Sequence, residues 1–322
     1  MENEIDIVFT WVDGNDPAHK KKIEPYLSKQ AAISDDIAGP TRFRSVGEIF
    51  YSVSSILRYA PFVRKIFIIT DEQNPNIDEF IRENFPDNKI PIEIVDHKVI
   101  FEGYEEYLPV FNSRAIETCT YRIPDLRENY VYFNDDCFLV RPIQPTDWFV
   151  DDKSVTYGKW SSIFYYQIIS MLKPRKNGHK PVGFKDGMVT AARNYGYKKR
   201  YIHMEHVPHP LKKSVLAGYY AKHQDLFKAN ISYKVRDRKQ INTQELYYLI
   251  MTDSNRLILK PSDNLLCMKP IKRGDGYLTK KHKTYENNPD IKFACIESLD
   301  MANESDQKRS LDWLQKVIGV KP

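Results

Sequence analysis

Residues 131–140 read VYFNDDCFLV. An apolar, strand-like run stops at Asn134-Asp135-Asp136 and resumes as Cys137-Phe138-Leu139-Val140. Two charges beside a buried strand cost free energy unless something compensates them. Adjacent carboxylates at a strand end can hold a hard divalent cation, Mg²⁺ or Mn²⁺, through oxygen. Asn and Asp also favour turns, so a plain capped turn explains the triplet equally well.

Working outward from this stretch, the first half alternates strands and helices. Apolar strands are expected at 5–12 (IDIVFTWV), 64–70, 91–97 and 129–135. Helices are expected at 45–60, 76–85 and 112–123, the last capped by Asn112 or Ser113. Strands that are apolar throughout and separated by helices indicate a mostly parallel, Rossmann-like α/β sheet covered on both faces. Ligands of such sheets bind beyond the carboxyl ends of the strands. Asp13, Asp71, His97 and Asp135/Asp136 each follow a strand, so four strands deliver polar groups to one rim.

The second half reads differently. Residues 151–200 are aromatic, basic and broken by Pro and Gly, which predicts a loop-rich insertion or lid. Residues 201–322 predict a helix-rich part, with helices at 210–230, 242–253 and 305–319. Ser305 is the expected cap of the last helix and Gly319 its end. Residues 1–150 carry 26 acids against 16 Lys and Arg, and residues 151–322 carry 17 against 32. Two solvated faces would explain this. So would an acidic, metal-binding half facing a basic half that meets phosphates or an anionic membrane. No segment matches a nucleic-acid-binding module. With 42% hydrophobic and 28% charged residues the composition is that of a soluble protein, and no apolar run is long enough to span a bilayer. Acids precede the first apolar run, unlike a signal peptide. Cys119, Cys137, Cys267 and Cys295 lack metal-binding spacing and read as buried thiols of a cytoplasmic protein.

Other stretches carry chemistry. In TWVDGND (10–16), Asp13-Gly14 ends the first strand, and Gly14 allows a tight turn at positive φ. TRFRS (41–45) puts Arg42 and Arg44 on one side of an extended segment, where paired guanidiniums suit phosphate. HMEHVPHP (203–210) holds three histidines, better suited to acid–base work than to zinc. YKVRDRKQ (233–240) is a short basic segment that spacing alone leaves as a solvated loop.

In combination, IDIVFTWVDGND, RFRSVGEIFYSVSSILRYAPFVRKIFIITDEQ and LPVFNSRAIETCTYRIPDLRENYVYFNDDCFL resemble the Stealth proteins, sugar-1-phosphate transferases of bacterial capsule and exopolysaccharide synthesis. Their animal relative is the lysosomal-enzyme N-acetylglucosamine-1-phosphotransferase. The resemblance resumes at EHVPHPLKKSVL and YKVRDRKQIN, with a weaker block at KFACIESLDMANESDQKRSLDWL. It implies a GT-A-like core over 1–150 that binds nucleotide-sugar and metal. Within it, Asp13, Gly14, Arg42, Arg44, Asp71, Asn112 and Asn134 contact substrate or nucleotide. Asp135 and Asp136 bind metal. Asp136, Glu117, His206, His209 and Arg236 are catalytic. The family's aspartate four residues after that arginine is Gln240 here, and its Asn-Asp of the fourth block aligns with Glu297-Ser298, so Glu297 is a candidate third metal ligand. The implied reaction transfers a sugar 1-phosphate from a UDP-sugar to a glycan hydroxyl, forms a phosphodiester and releases UMP. The implied acceptor is a glycan, lipid-linked at the inner membrane face. The alternatives are a metal-dependent glycosyltransferase that releases UDP and a non-catalytic glycan-binding module.

Overall fold

The computed structural model describes residues 4–28, 46–172, 183–271, 273–274 and 276–321. The first half forms β1 (Ile5–Thr10), α1 (Pro17–Ser28), α2 (Glu48–Tyr59), β2 (Lys65–Thr70), α3 (Asp78–Asn84), β3 (Ile92–Asp96), the one-turn α4 (His97–Ile100), α5 (Ser113–Cys119), β4 (Asn129–Phe133) and β5 (Cys137–Leu139). There follow β6 (Phe149–Val150), β7 (Lys153–Ser162), α6 (Ile163–Leu172), α7 (Phe184–Tyr195), β8 (Arg200–Met204) and β9 (His209–Lys212). The chain continues through α8 (Lys213–Lys222), α9 (Gln224–Ile231), α10 (Thr243–Asp253), β10 (Leu257–Lys260), β11 (Leu265–Met268), α11 (Tyr277–Asn287), β12 (Phe293–Ile296) and α12 (Glu304–Ile318).

The central sheet runs β3-β2-β1-β4-β9, the first four strands parallel and β9 antiparallel to β4. β1, β2 and β4 bury both faces, as their largely apolar sequences require, while the edge strand β3 leaves Glu93 and Ile94 exposed. Val8, Phe67, Ile69 and Tyr132 pack with α5, α7 and α10 on one side. Ile7, Phe9, Ile66, Ile68 and Phe133 pack with α2 on the other. Asp6 is a fully buried carboxylate inside β1, and two nitrogens of Arg64 answer it at 2.7 Å each. A buried charge is tolerated only with such a partner. The expected class, a mostly parallel α/β sheet with helices on both faces, is the observed one.

Strand order reverses direction of growth between β1 and β4, which opens a crevice beyond their carboxyl ends. There the chain turns, with the Cys137 amide donating to the Asn134 carbonyl at 3.1 Å. It then leaves the central sheet, and β5 pairs antiparallel with β12 in a second sheet, β11-β12-β5. Asn134-Asp135-Asp136 thus marks the point where one strand ends and the next, in another sheet, begins.

The second half holds more strand than its sequence suggests. β7 is a ten-residue strand in the stretch that reads as loop-rich, and it pairs with β6, β8 and β10. Gly158 looks like a breaker but is a close-approach glycine: a Cβ there would collide with the His203 carbonyl oxygen of β8. The helix expected over 210–230 is instead β9 followed by α8 and α9. Pro210 fits β9 because that strand lies at the sheet edge, where a missing amide is tolerated. The last helix is capped by Asn303, whose Oδ1 accepts from the Asp306 amide at 2.8 Å, rather than by Ser305. Gly319 ends it at φ 76° as expected. The segments 1–150, 151–200 and 201–322 share sheets: β9 completes the first-half sheet, and β12 pairs with β5.

Candidate active site

A cleft of about 280 Å³ opens at the crevice between β1 and β4. Thr10, Trp11 and Val12 form one wall and Asn134, Asp135 and Asp136 another. Asp71 and His97, at the ends of β2 and β3, also line it, as do Asn112, Ser113 and Arg236. A second cleft of about 320 Å³, lined by Phe184, Lys185, His203 and Glu205, shares Asp136, His206 and Ser298 with the first. The two clefts therefore meet at Asp136 and His206, whose Oδ1 and Nε2 stand 2.9 Å apart. Burial would lower the basicity of the His206 imidazole, but the Asp136 charge and Cys137 outweigh it and raise it well above the ordinary value.

Acidic side chains crowd the first cleft. Burial, together with Glu48 and Asp136, pushes the Asp135 carboxyl well above the usual carboxylate range. Glu48 and Asp300 also line this cleft, although neither is prominent in the sequence. Such crowded oxygen donors fit a hard divalent cation, which relieves their mutual repulsion. Glu297 does not join them. It lines the second cleft, where Lys269 donates to its Oε2 at 2.9 Å and Cys267 approaches its Oε1 at 3.4 Å. The one-turn helical segment after β12 swings Asp300 inward in its place.

A second donor set lies beside the first. One ligand atom each from Asp136, Cys137, His206 and Cys295 falls within 4.8 Å of the others. Cys137 and Cys295 face each other across β5 and β12 and are fully buried. Sequence spacing gave no sign of this cluster, because strand pairing brings together thiols far apart in the chain.

The cationic wall is built by α5 and the 233–240 segment. Arg236 lines the cleft and donates from Nη2 to Ser113 Oγ at 3.0 Å. Beneath it, Arg114 is almost fully buried and donates to the carbonyls of Asp237 (3.0 Å) and Gly183 (2.8 Å). Burial and the neighbouring Arg236 lower Arg114 to about 10. Glu117, one helical turn from Ser113, lies below the cleft and accepts from Tyr132 at 3.3 Å and Gln244 at 3.1 Å. It holds the floor rather than lining it. Two guanidiniums against one buried carboxylate leave a site suited to an anion. Several polar atoms of lining residues lack a partner: Trp11 Nε1, Asp71 Oδ2, His97 Nδ1 and Arg236 Nε are buried without a hydrogen-bond partner among the described residues. Buried polar groups are normally paired, so such atoms at a cleft point to a ligand.

Several expected contacts are drawn differently. Asn112 lines the cleft, but its Oδ1 caps α5 through the Ala115 amide (3.0 Å) and accepts from Gln240 (3.1 Å), while its Nδ2 donates to the Tyr233 carbonyl. Its amide is consumed by the fold, and Gln240 is the residue that fixes it. His209 is buried on β9 against the Tyr248 hydroxyl at 3.2 Å, lowered by burial to about 3, and lines neither cleft. Strand alternation turns it into the core. Asp13 also lies outside the lining; its Oδ1 accepts from the Asn15 amide at 2.8 Å, and Gln73 holds its backbone. Gly14 is not among the glycines at positive φ, because the Asp13 side chain closes that turn. Arg42 and Arg44 lie outside the described residues.

The fold and the site define an α/β protein with an acid-lined, arginine-walled cleft at the switch point of a Rossmann-like sheet. Residues 3–31 match Stealth protein conserved region 1, and residues 42–157 match Stealth protein conserved region 2. These two matched regions lie in the first half of the chain. It is 44% identical over 154 residues to a capsular polysaccharide phosphotransferase, cps1A, of Actinobacillus pleuropneumoniae, an alignment covering 46% of this chain and 39% of that protein. It is 40% identical over 150 residues to a capsular polysaccharide phosphotransferase of Neisseria meningitidis serogroup B (45% and 37% covered), and 38% identical over 153 residues to an exopolysaccharide phosphotransferase of Streptomyces coelicolor (48% and 26%). The match thus spans well under half the length of these relatives. Among solved structures, galactosyltransferase LgtC with donor and acceptor sugar analogues aligns with a TM-score of 0.46 at 8% identity, over 98% of this chain and 96% of that one.

Proposed function

We propose that this chain transfers a sugar 1-phosphate from a UDP-sugar to a hydroxyl of an acceptor glycan in capsule or surface-polysaccharide synthesis, releasing UMP. The observation that carries this reading is the meeting of two clefts at the Asp136–His206 pair, one walled by arginine and acid and the other open to a second substrate. The relatives' names supply the reaction class; the cleft chemistry supplies the roles.

The donor lies in the first cleft with its diphosphate against Arg236, which Ser113 Oγ holds and the Glu117 charge below favours. Asp135 and Asp136, with Glu48 and Asp300 beside them, would hold Mg²⁺ or Mn²⁺, which supplies charge neutralisation on the diphosphate. The acceptor hydroxyl enters from the second cleft. Its oxygen forms a bond to the phosphorus that carries the donor sugar, and the bridging P–O bond to UMP breaks. His206 takes the hydroxyl proton on Nδ1, because its Nε2–H is turned to Asp136 Oδ1, and Asp136 steadies the imidazolium that results. Such a transfer depends on positioning and charge more than on covalent help. Because Asp136 raises the basicity of His206, the rate rises with pH through a value above that of an ordinary histidine.

The test is to incubate the protein with Mg²⁺, a panel of UDP-sugars and capsule-type oligosaccharides, and to separate the nucleotides. UMP formed only in the presence of acceptor supports the proposal. UDP overturns it in favour of glycosyl transfer.

A further inference from the structure

Helix α6, IFYYQIISML, is unlike any other helix among the described residues. Phe164, Tyr165, Ile168, Ile169, Met171 and Leu172 are exposed, from 38% at Ile169 to 79% at Leu172. They are six of the nine large hydrophobic residues exposed among the described residues. The inner side of the helix is thin: Ile163 is buried, and Tyr166 packs edge-on against Tyr201 and donates to Asp186 at 2.8 Å. A helix this apolar on its outer side does not face water in isolation.

The surroundings say what covers it. Among the described residues from Lys153 to Lys185, Lys153, Lys159 and Lys185 are exposed and none is Asp or Glu. At the start of α6 the Ile163 amide donates to the Lys199 carbonyl at 3.0 Å, which sets the exposed Lys198, Lys199 and Arg200 beside the helix. Arg200 lies 4.1 Å over the Trp160 ring, which stacks on Tyr197. An apolar helix rimmed by cations and by a Trp–Tyr pair has the composition of a segment lying in a bilayer interface. No helix among the described residues is long and apolar enough to cross a membrane.

We propose that α6 and its basic, aromatic rim dock this chain on an anionic lipid bilayer. The apolar side chains enter the headgroup–acyl boundary, while Lys198, Lys199 and Arg200 meet lipid phosphates. Docking stands independently of the phosphotransfer reading. One consequence rests on that reading. The β8 strand that begins beside α6 runs to His203, Glu205 and His206, and Phe184 and Lys185 line the same second cleft. The membrane face and the acceptor side of the site are thus joined, which suits an acceptor whose anchor stays in the bilayer.

The test uses the purified chain and sedimentation with vesicles of phosphatidylcholine alone or with about a third phosphatidylglycerol. The chain is expected to pellet with the anionic vesicles and to be released by high salt. Phe164→Ser with Leu172→Ser should weaken binding at least about tenfold at an unchanged melting temperature, since both side chains are exposed. Lys198→Glu with Lys199→Glu should weaken it by about fivefold or more per site. Failure of the wild type to pellet, or equal pelleting of the serine variant, overturns the proposal. So does a dimer in light scattering that the serine variant dissolves while no vesicle binds, which would assign the face to a second copy. None of these outcomes bears on whether UMP is released.

Discussion

Replacing Asp136 by Asn is the sharpest perturbation of the site. The side chain keeps its shape and its 2.9 Å contact with His206 through the amide, and the backbone bond from Ile296 to the Asp136 carbonyl at 3.0 Å is untouched. What disappears is one negative charge. That charge raises the basicity of His206, presses on Asp135 and, in the proposed reaction, would help hold the cation. Removing one preorganised electrostatic contact costs about 10²–10³ in kcat, and weakening a general base costs about 10²–10⁴. Both roles pass through one carboxylate, so the losses overlap rather than multiply. The expected fall in kcat is about 10³, or ~4 kcal/mol of barrier. Stability should move the other way, because relief of repulsion at Asp135 offsets the weaker contact to His206. The melting temperature should hold within about 2 °C or rise. Initial rates of UMP release at saturating donor, across a range of pH and Mg²⁺, read all of this together. The residual activity should also reach its plateau at lower pH than the wild type, since Asp136 is what lifts His206. Turnover within tenfold of wild type, with an unchanged pH profile, would falsify the assignment of Asp136.

Four further outcomes follow from the structure. Asp300→Asn should raise the Mg²⁺ concentration needed for half-maximal rate at least about tenfold, whereas Glu297→Gln should leave it unchanged, and a metal titration of both variants tells the two carboxylates apart. Burial holds His97 neutral down to about 4 and His209 down to about 3, below an ordinary value near 6.5, so the unfolded chain takes up these protons first as pH falls. The stability owed to each neutral imidazole is complete above pH 6.5 and drains away below it, by roughly 3 kcal/mol for His97 by pH 4, and His97→Asn should flatten that part of a melting-temperature profile. Micromolar Zn²⁺ or Cd²⁺ should inhibit in a way that excess Mg²⁺ does not reverse, and Cys295→Ala should relieve it, because thiols prefer such ions to Mg²⁺. Gly158→Ala should cost about 1–3 kcal/mol in denaturant unfolding, since the added methyl meets the His203 carbonyl of the paired strand.

The central sheet was legible because β1, β2 and β4 carry a largely apolar signal that neighbouring segments do not. IDIVFT, KIFIIT and NYVYF form β1, β2 and β4 with only their ends trimmed. The rim was legible for the same reason, since a polar residue that follows such a strand is delivered to the switch point by topology. Asp71, His97 and Asp135/Asp136 all reach the cleft this way. Where strand and helix propensities compete, tertiary pairing decided instead. HPLK became an edge strand because β4 had an open edge to pair, and KSVTYGKWSS became a strand despite its glycine. The residues that sequence reading missed act at long range. Arg114 needs Gly183 and Asp237 to define its role, Asp300 is turned inward by its one-turn helix, and Cys137 meets Cys295 only through pairing of β5 with β12. His209 failed in the opposite sense: its motif is intact, but alternation along β9 points it into the core.

The placement of the two arginines bears on which bond such a site would break. A site that releases a nucleoside diphosphate needs its strongest charges on the leaving diphosphate and little beyond them. Here the acids gather at the end of β4, at the start of α2 (Glu48) and after β12 (Asp300), while Arg236 sits on the 233–240 segment and is braced by Ser113 from α5. Arg114 does not touch the cleft. It is held by two carbonyls and packs against Gly187, where a Cβ would come within 2.9 Å of its guanidinium. Its charge is a fixed background that favours an anion beside Arg236, and burial makes that background stronger than it would be in water. Substituting Arg236 alone should therefore leave the fold standing on Arg114 and α5 while removing the one guanidinium among the described residues that reaches the cleft. Arg236→Lys separates a point charge from a two-pronged grip. If a phosphoryl group in transfer is what Arg236 holds, lysine restores donor binding but not turnover, because an ammonium cannot follow two oxygens through the reaction. A variant that recovers kcat along with donor affinity would mean that Arg236 steadies the donor only at rest.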